Sequence, residues 1–192
     1  MEYQLNYPYG QFVYSATKTD FQKQDKRQLM PPEDYQKVTP REYQMALFKK
    51  PKNSFIGKAA PDMMIKDING LTLNLTDLKG KNVLLNFWFT NCQPCVREIP
   101  DLNKLKKQYR NKNIEFIAIT FDDQQTVRDF LVENQFDFRI FTDAREVTAL
   151  YGLQSYPTTL FIDESGKVVD ENIGGAFDIY NILDQMIQKN LD

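Results

Sequence analysis

The two cysteines of this chain stand three positions apart, at Cys92 and Cys95, directly after an apolar run. Such a pair can be a structural disulfide, half of a metal site, or a reactive dithiol that opens and closes a disulfide. A structural zinc site needs four Cys or His ligands, and the 192 residues contain no histidine and no third cysteine. A structural disulfide stabilises a fold more as the loop that it closes grows longer, and this loop is almost as short as possible. The residue types therefore favour a reactive dithiol, with the other two alternatives left open.

A strand and a helix must position this pair. Residues 82–89, NVLLNFWF, form a nearly continuous apolar run, which is typical of a strand buried on both faces. Residues 93–109 carry apolar side chains at helical spacing. Cys92 therefore falls at the N-cap of the helix, and Gln93 and Pro94 fall in its first turn, where proline is tolerated. A thiolate at an N-cap faces free backbone N–H groups and the positive end of the helix dipole, which lowers the pKa of the thiol.

The remaining pattern alternates strands and helices. Asn69-Gly70 is the strongest short signal for a hairpin turn, and a short helical turn closed by Gly80 follows it. Strands that alternate with helices and end in a terminal hairpin indicate an α/β fold, with a central mixed sheet flanked by helices. Further strands are predicted at residues 114–121, 138–143, 158–163 and 167–171, and further helices at 124–135, 144–152 and 176–190.

The first 54 residues differ in composition from the rest. Six of the ten tyrosines lie in residues 1–43, and apolar residues alternate with polar ones on both sides of the turn sequence YPYG. This alternation predicts a β-hairpin with one aromatic face. The polar connector that follows carries an amphipathic pattern at residues 41–49, which predicts a short helix. The sequence thus indicates an N-terminal extension, residues 1–54, ahead of a main domain, residues 55–192.

The charge and the hydropathy exclude some functions. The chain has 24 basic and 26 acidic side chains and a net charge of −2, so a broad basic surface is not expected, and neither is a nucleic-acid partner. No apolar run approaches the roughly 18 residues that would span a bilayer. The opening residues, MEYQLNYPYG, have neither a basic nor an apolar segment and do not predict a secretory signal.

Three motifs, in the same order along the chain, carry a resemblance to a known family. They are GKAAPDM at residues 57–63, GKNVLLNFWFTNCQPCVREIPDLNKL at residues 80–105, and YGLQSYPTTLFIDESGKVV at residues 151–169. The middle stretch resembles the active-site segment of the thioredoxin superfamily. It is most similar to the TlpA/ResA-like thiol-disulfide oxidoreductases, whose usual pattern is NFWA-x-WC-x-PC. The resemblance covers residues 55–190 and implies a thioredoxin fold for them.

The resemblance also implies the catalytic residues. Cys92 attacks a substrate disulfide, and Cys95 resolves the mixed disulfide that results. Glu98 stands three residues beyond Cys95, where the TlpA/ResA branch carries a glutamate near the active site, and it would manage the protons. The dithiol is then its own cofactor, and no metal is expected. An ordinary solvated glutamate on the helix surface remains the alternative for Glu98.

A substrate groove is implied by the same resemblance. Tyr156 and Pro157 match the segment that carries the family's cis-proline, which docks the backbone of the substrate. For Pro157 an ordinary trans turn proline is the alternative, and for Trp88 the alternative is a plain core position. Further substrate contacts are implied for Trp88, Gln93 and Pro94.

The partners and the location follow from the family alone. The resemblance implies protein disulfides as substrates, apocytochromes or other secreted proteins among them. It implies a membrane or thioredoxin-type electron donor, an extracytoplasmic location and a monomer. A cytoplasmic location remains open.

Some residues depart from the family pattern. Asn91 replaces the usual aromatic residue before the first cysteine, Phe89 replaces an alanine, and Asn86 stands where thioredoxin has a buried aspartate. Two other functions stay open. A thiol peroxidase of the peroxiredoxin group usually has a threonine three residues before its reactive cysteine, whereas Thr90 lies two residues before Cys92. A non-catalytic binding module would use the tyrosine-rich hairpin as its working surface.

Overall fold

The structure is a computed structural model and describes residues 2–7, 10–15, 54–62 and 64–191. The chain divides into two compact units, Met1–Lys50 and Pro51–Asp192. The domain boundary predicted between residues 54 and 55 stays a prediction. The helix predicted at residues 41–49 lies outside the described residues.

The first unit contains a two-stranded antiparallel sheet. Its strands are β1 (Glu2–Tyr7) and β2 (Gly10–Ser15), and their register places Leu5 opposite Phe12. This pairing confirms the N-terminal hairpin that the alternating pattern predicted.

The second unit begins with a short hairpin, β3 (Met64–Lys66) and β4 (Thr72–Asn74), followed by a 3-10 helix at Leu75–Leu78. Gly70 adopts a φ of 83° in the turn, a conformation that glycine tolerates best. The buried Asp67 holds this turn, because its Oδ1 accepts the backbone N–H groups of Asn69 and Leu71 at 2.9 Å each.

A five-stranded mixed sheet forms the centre of the second unit. Its order is β7–β6–β5–β8–β9; β5 runs parallel to β6 and antiparallel to β8. The predicted central mixed sheet is confirmed. The strands are β5 (Asn82–Phe87), β6 (Ile114–Ile119), β7 (Arg139–Phe141), β8 (Thr158–Ile162) and β9 (Val168–Ile173).

Helices cover both faces of this sheet, as predicted. Side chains of β5 alternate between the two faces, so Leu84 joins one buried cluster while Val83 and Leu85 join the other. The first cluster includes buried residues of α1 and α4, and the second includes Val147 of α3. The helices are α1 (Gln93–Gln108), α2 (Gln124–Glu133), α3 (Arg145–Leu150) and α4 (Ile179–Leu191).

The helix α1 begins where a fully buried strand ends. All six residues of β5 are buried, and the chain leaves this strand, crosses residues 88–92, and enters α1 at Gln93. The side chains that α1 buries recur every three or four positions, which fixes one face of the helix against the sheet. They are Cys95, Glu98, Ile99, Leu102 and Leu105. The first turn of α1 is thereby held at the carboxyl end of β5.

Candidate active site at the start of helix α1

The connection between β5 and α1 is tied to the neighbouring strand. The Trp88 backbone N–H donates to the carbonyl of Ile119 at 3.1 Å, and the Thr90 N–H donates to Asp122 Oδ2 at 2.7 Å. The Cys92 N–H donates to the Phe89 carbonyl at 3.1 Å. These bonds form a tight turn that presents the first cysteine at the helix start. No pattern in the sequence pointed to the bond between Asp122 and Thr90.

Cys92 and Cys95 form a disulfide, with their Cα atoms 5.2 Å apart. Cys92 is the N-cap of α1, as the spacing predicted, and its Sγ accepts the Cys95 N–H at 3.3 Å. Both cysteines are buried in this oxidised state, with exposed fractions of 5% and 2%. Pro94 occupies the first turn, where its missing N–H leaves no helical bond unmade. The first sulfur therefore lies at the positive end of the helix dipole.

Glu98 is buried one turn further along α1, with only 3% of its surface exposed. Its Oε1 accepts the Ala176 N–H at 2.9 Å, and its Oε2 has no hydrogen-bond partner among the described residues. Burial raises the pKa of Glu98 from 4.5 to about 7, although the Ala176 bond and the nearby Arg97 act in the opposite direction. Glu98 is thus not a solvated surface glutamate, and it can exchange a proton near neutral pH.

The loop between β9 and α4 closes over this carboxylate. Gly175 approaches so tightly that a Cβ there would lie 2.9 Å from Pro94 Cβ and 3.7 Å from Glu98 Oε1. The same Cβ would lie 3.8 Å from Pro157 Cδ. The loop therefore contacts three of the predicted site residues at one point. This loop was not predicted from the sequence, although the Gly-Gly pair before the last helix is a usable signal for close backbone approach.

The peptide bond between Tyr156 and Pro157 is cis, as the resemblance implied. The Pro157 carbonyl accepts the N–H of Gly174 at 2.8 Å, which joins this turn to the loop above. Pro157 is buried, and Tyr156 is half-buried. Burial raises the pKa of the Tyr156 hydroxyl, so the side chain stays neutral.

Three half-buried aromatic side chains form a cluster beside the cis-proline. The ring centroids of Phe89 and Tyr156 lie 5.4 Å apart, and Phe121 lies 5.2 Å from Phe89 and 5.8 Å from Tyr156. The guanidinium of Arg145 lies 5.3 Å from the Phe121 ring centroid. Phe89 replaces the family's alanine, so the departure noted in the sequence adds an aromatic ring next to the predicted groove.

Trp88 does not face this groove. It is 1% exposed and packs against Phe130 and Phe136, with ring centroids 5.3 and 5.2 Å away. A side chain this buried packs beneath the site, and the substrate contact of Trp88 stays a prediction. Of the predicted contacts, Gln93 is exposed and Pro94 is half-buried.

The strand β5 beneath the site has no carboxylate side chain to accompany Glu98. Asn86 is 1% exposed, and its Nδ2 donates to Thr159 Oγ1 at 2.9 Å, which links β5 to β8. An amide cannot accept the proton that a cysteine must lose. Glu98 is therefore the ionisable group next to the pair.

Two other kinds of feature are absent from the described part of the chain. No cluster of three or more Cys, Asp or Glu side chains with metal-binding geometry occurs there. Within the same ranges, no helix has the length and apolar character needed to cross a membrane.

Known proteins resemble this chain in sequence and in fold. The AhpC/TSA family profile matches residues 56–171. The thiol-disulfide oxidoreductase ResA of Bacillus thuringiensis (strain Al Hakam) is 40% identical over 121 residues, which cover 62% of this chain and 70% of that protein. The thioredoxin-like protein YneN of Bacillus subtilis (strain 168) is 39% identical over 122 residues, which cover 62% of this chain and 71% of that protein.

A solved structure from Chlorobium tepidum, provisionally assigned as the thiol:disulfide interchange protein DsbE, superposes with a TM-score of 0.67. It is 28% identical, and the match covers 71% of this chain and 98% of that one. This likeness confirms the thioredoxin fold that the three motifs implied. Taken with the family profile and the ResA-type relatives, it shows that the chain belongs to the AhpC/TSA family of thioredoxin-like proteins and is a thiol-disulfide oxidoreductase of the ResA type.

Proposed function

We propose that Cys92 and Cys95 are the redox centre of this oxidoreductase and that the reduced chain reduces disulfides of other proteins. The observation that carries the proposal is the disulfide at the start of α1, whose first sulfur accepts the Cys95 N–H at 3.3 Å. The same N–H group and the helix dipole stabilise a thiolate on Cys92 after reduction. Cys92 is accordingly the nucleophile, and Cys95 is the resolving cysteine.

The reaction conserves electrons and protons in two exchanges. The Cys92 thiolate attacks one substrate sulfur, so a mixed disulfide forms as the substrate S–S bond breaks and the leaving thiolate takes up a proton. Cys95 then loses its proton and attacks Cys92 Sγ, which releases the second substrate thiol. Two electrons pass from the dithiol to the substrate, and the Cys92–Cys95 disulfide remains.

Glu98 is proposed as the base for the second exchange. A buried thiol resists ionisation, and Cys95 has only 2% of its surface exposed. Because burial raises the pKa of Glu98 to about 7, its carboxylate is a usable proton acceptor near neutral pH. The Ala176 N–H holds one carboxylate oxygen in place, and the other oxygen has no partner among the described residues.

Substrate docking is proposed along Tyr156 and Pro157. The cis peptide bond and the half-buried Tyr156 ring lie near the first turn of α1, since Gly175 approaches both Pro157 and Pro94. Gln93 and Pro94, which lie between the two cysteines, are proposed to contact the substrate from the helix side. We further propose that residues 55–192 carry this chemistry and that residues 1–54 are an extension to it.

The biological setting is proposed from the resemblance to the TlpA/ResA-like branch. It supports an extracytoplasmic monomer that receives electrons from a membrane or thioredoxin-type donor. Disulfides of secreted proteins, apocytochromes among them, would be its substrates.

The test is to mix the reduced chain with a disulfide-linked peptide and follow the products by mass spectrometry. The wild type should yield reduced peptide and the Cys92–Cys95 disulfide. Cys95→Ser should accumulate a mixed disulfide through Cys92, because the resolving thiol is gone, whereas Cys92→Ser should form none. Failure of the wild type to reduce any peptide would refute the proposal, and preferential consumption of hydrogen peroxide would favour the peroxidase alternative.

A further inference from the structure

One large apolar side chain next to the site is fully exposed. Phe177 follows the loop residue that binds Glu98, and its exposed fraction is 106%, the value of a free side chain. A single exposed apolar residue is ordinary on a protein surface. Phe177 differs because it forms one wall of a pocket whose other walls belong to the site.

This pocket, the Arg97–Phe177 pocket, has a volume of about 150 Å³. Binding sites for whole small molecules usually have roughly 300–1,000 Å³, so this one has room for about one side chain. Pro94 lies between the two cysteines, which places the pocket directly beside the disulfide. It is lined by Pro94, Arg97, Gly175, Ala176 and Phe177.

The pocket carries a single positive charge. Arg97 is exposed, and no carboxylate of the described residues lies within ion-pair distance of its guanidinium. The other four lining residues are uncharged. A ligand that fills the pocket with an apolar group can therefore also place an acidic group against Arg97 without displacing an ion pair to any described residue.

We propose that the Arg97–Phe177 pocket binds an apolar side chain of the disulfide-bearing polypeptide, with an acidic residue of the same segment paired to Arg97. The inference rests on the proposed function and adds a sequence preference to it. Phe177 and Arg97 then select substrates, while Tyr156 and Pro157 hold the substrate backbone. The occupant is a polypeptide segment, because the pocket is too small for an independent ligand and because Pro94, which lines it, lies between the two cysteines.

A charge exchange tests the acidic part of this preference. The experiment compares two disulfide-linked peptides. Both carry a Leu beside the cysteine, and the residue next to that Leu is Glu in one peptide and Lys in the other. Their second-order rate constants with the reduced wild type, Arg97→Glu and Lys107→Glu are measured in single turnovers. Lys107 is an exposed cation further along the same helix, and its reversal changes the net charge by the same amount.

The wild type should react about two- to fivefold faster with the Glu peptide, the range of an exposed ion pair. Arg97→Glu should reverse the preference, and Lys107→Glu should keep it. The same Glu-to-Lys rate ratio in all three proteins would overturn the proposal.

A second pair of peptides, with Leu or Gly beside the cysteine, tests the apolar part. Covering roughly 50 Å² of apolar surface corresponds to about an eightfold change in rate. The wild type should favour the Leu peptide by about that factor, and Phe177→Ser should lose the preference. Val132→Ser is the matched control, since Val132 is 83% exposed on α2, and it should keep the preference. An unchanged Leu-to-Gly ratio in Phe177→Ser, with circular dichroism showing a folded protein, would overturn the proposal.

Reduction of hydroxyethyl disulfide by the wild type distinguishes a failure of the pocket preference from a failure of the proposed function. This disulfide has no side chain to enter the pocket. If the wild type reduces it while the peptide ratios are equal in every variant, only the pocket preference is wrong. If the wild type reduces neither this compound nor the peptides, the proposed function is wrong, and the preference is overturned with it.

Discussion

Replacing Glu98 with glutamine should change how the stability of the oxidised chain depends on pH. Burial raises the pKa of this carboxyl from 4.5 to about 7 in the folded state. Between those values the folded chain keeps a proton on Glu98 that the unfolded chain has lost. The raised pKa therefore contributes stability that is fully present below the unfolded pKa and is lost as the pH rises through the folded pKa.

The size of the effect follows from the two pKa values, which differ by about 2.5. Each pKa unit corresponds to about 1.36 kcal/mol. From about pH 4 to about pH 8 the wild type should therefore lose about 3 kcal/mol of unfolding free energy relative to Glu98→Gln. Glutamine has a carbonyl oxygen that can still accept the Ala176 N–H, so the variant removes the charge and keeps the bond.

Urea unfolding of both oxidised proteins across this pH range measures the difference directly. Glu133→Gln is the matched control, because Glu133 is exposed at the end of α2 and its replacement should give a nearly constant difference. A constant difference between the wild type and Glu98→Gln would refute the argument, because it would mean that Glu98 titrates alike in both states.

The same variant should alter the chemistry of the reduced protein in two opposite ways. Removing the negative charge should lower the apparent pKa of the thiol pair, since an ionised Glu98 opposes thiolate formation. It should also slow resolution of the mixed disulfide, because the base is lost. The pH profile of alkylation and the rate of peptide reduction measure these effects, and no change in either would contradict the role proposed for Glu98.

Three further outcomes test the geometry of the site. After reduction, Cys92 should be alkylated before Cys95 at mildly acidic pH because it caps the helix, and peptide mapping that finds Cys95 labelled first would contradict this. Gly175→Ala should lower the unfolding free energy by about 1–3 kcal/mol, the usual cost of overpacking, because its Cβ would meet Pro94 Cβ at 2.9 Å; a neutral effect in urea unfolding would show that the loop is not tightly packed. Asp122→Ala should lower the unfolding free energy by about 1 kcal/mol more than Asp122→Asn does, since only asparagine keeps an acceptor for the Thr90 N–H. Equal losses of unfolding free energy in the two variants would argue against that bond.

Much of the fold could be predicted because its elements have strong periodic patterns. The run NVLLNFWF is typical of a buried strand, and apolar residues at helical spacing after it predicted α1. The N-cap position of Cys92 followed from the junction of these two patterns. The Asn69-Gly70 turn and the alternation around YPYG likewise predicted hairpins that the structure contains.

The contacts of the site between distant segments had no comparable signal. The burial of Glu98 depends on a loop 78 residues away in sequence, whose Ala176 N–H reaches the carboxylate. Spacing on α1 placed Glu98 on the same face as Cys95, but it could not show what covers that face. The packing of Phe121 against Phe89 depends in the same way on the ends of two parallel strands, which meet only once the sheet has formed.

The position of β5 between two other strands has a consequence for amide hydrogen exchange. Its backbone groups are bonded to β6 on one side and to β8 on the other, and none of its six side chains is exposed. Amides in such a strand exchange only when the domain unfolds as a whole. The segment that carries Cys92 and Cys95 thus begins at a slowly exchanging part of the domain. We therefore expect the amide protons of β5 to stay protected while the proposed substrate surface around Phe177 binds one polypeptide after another.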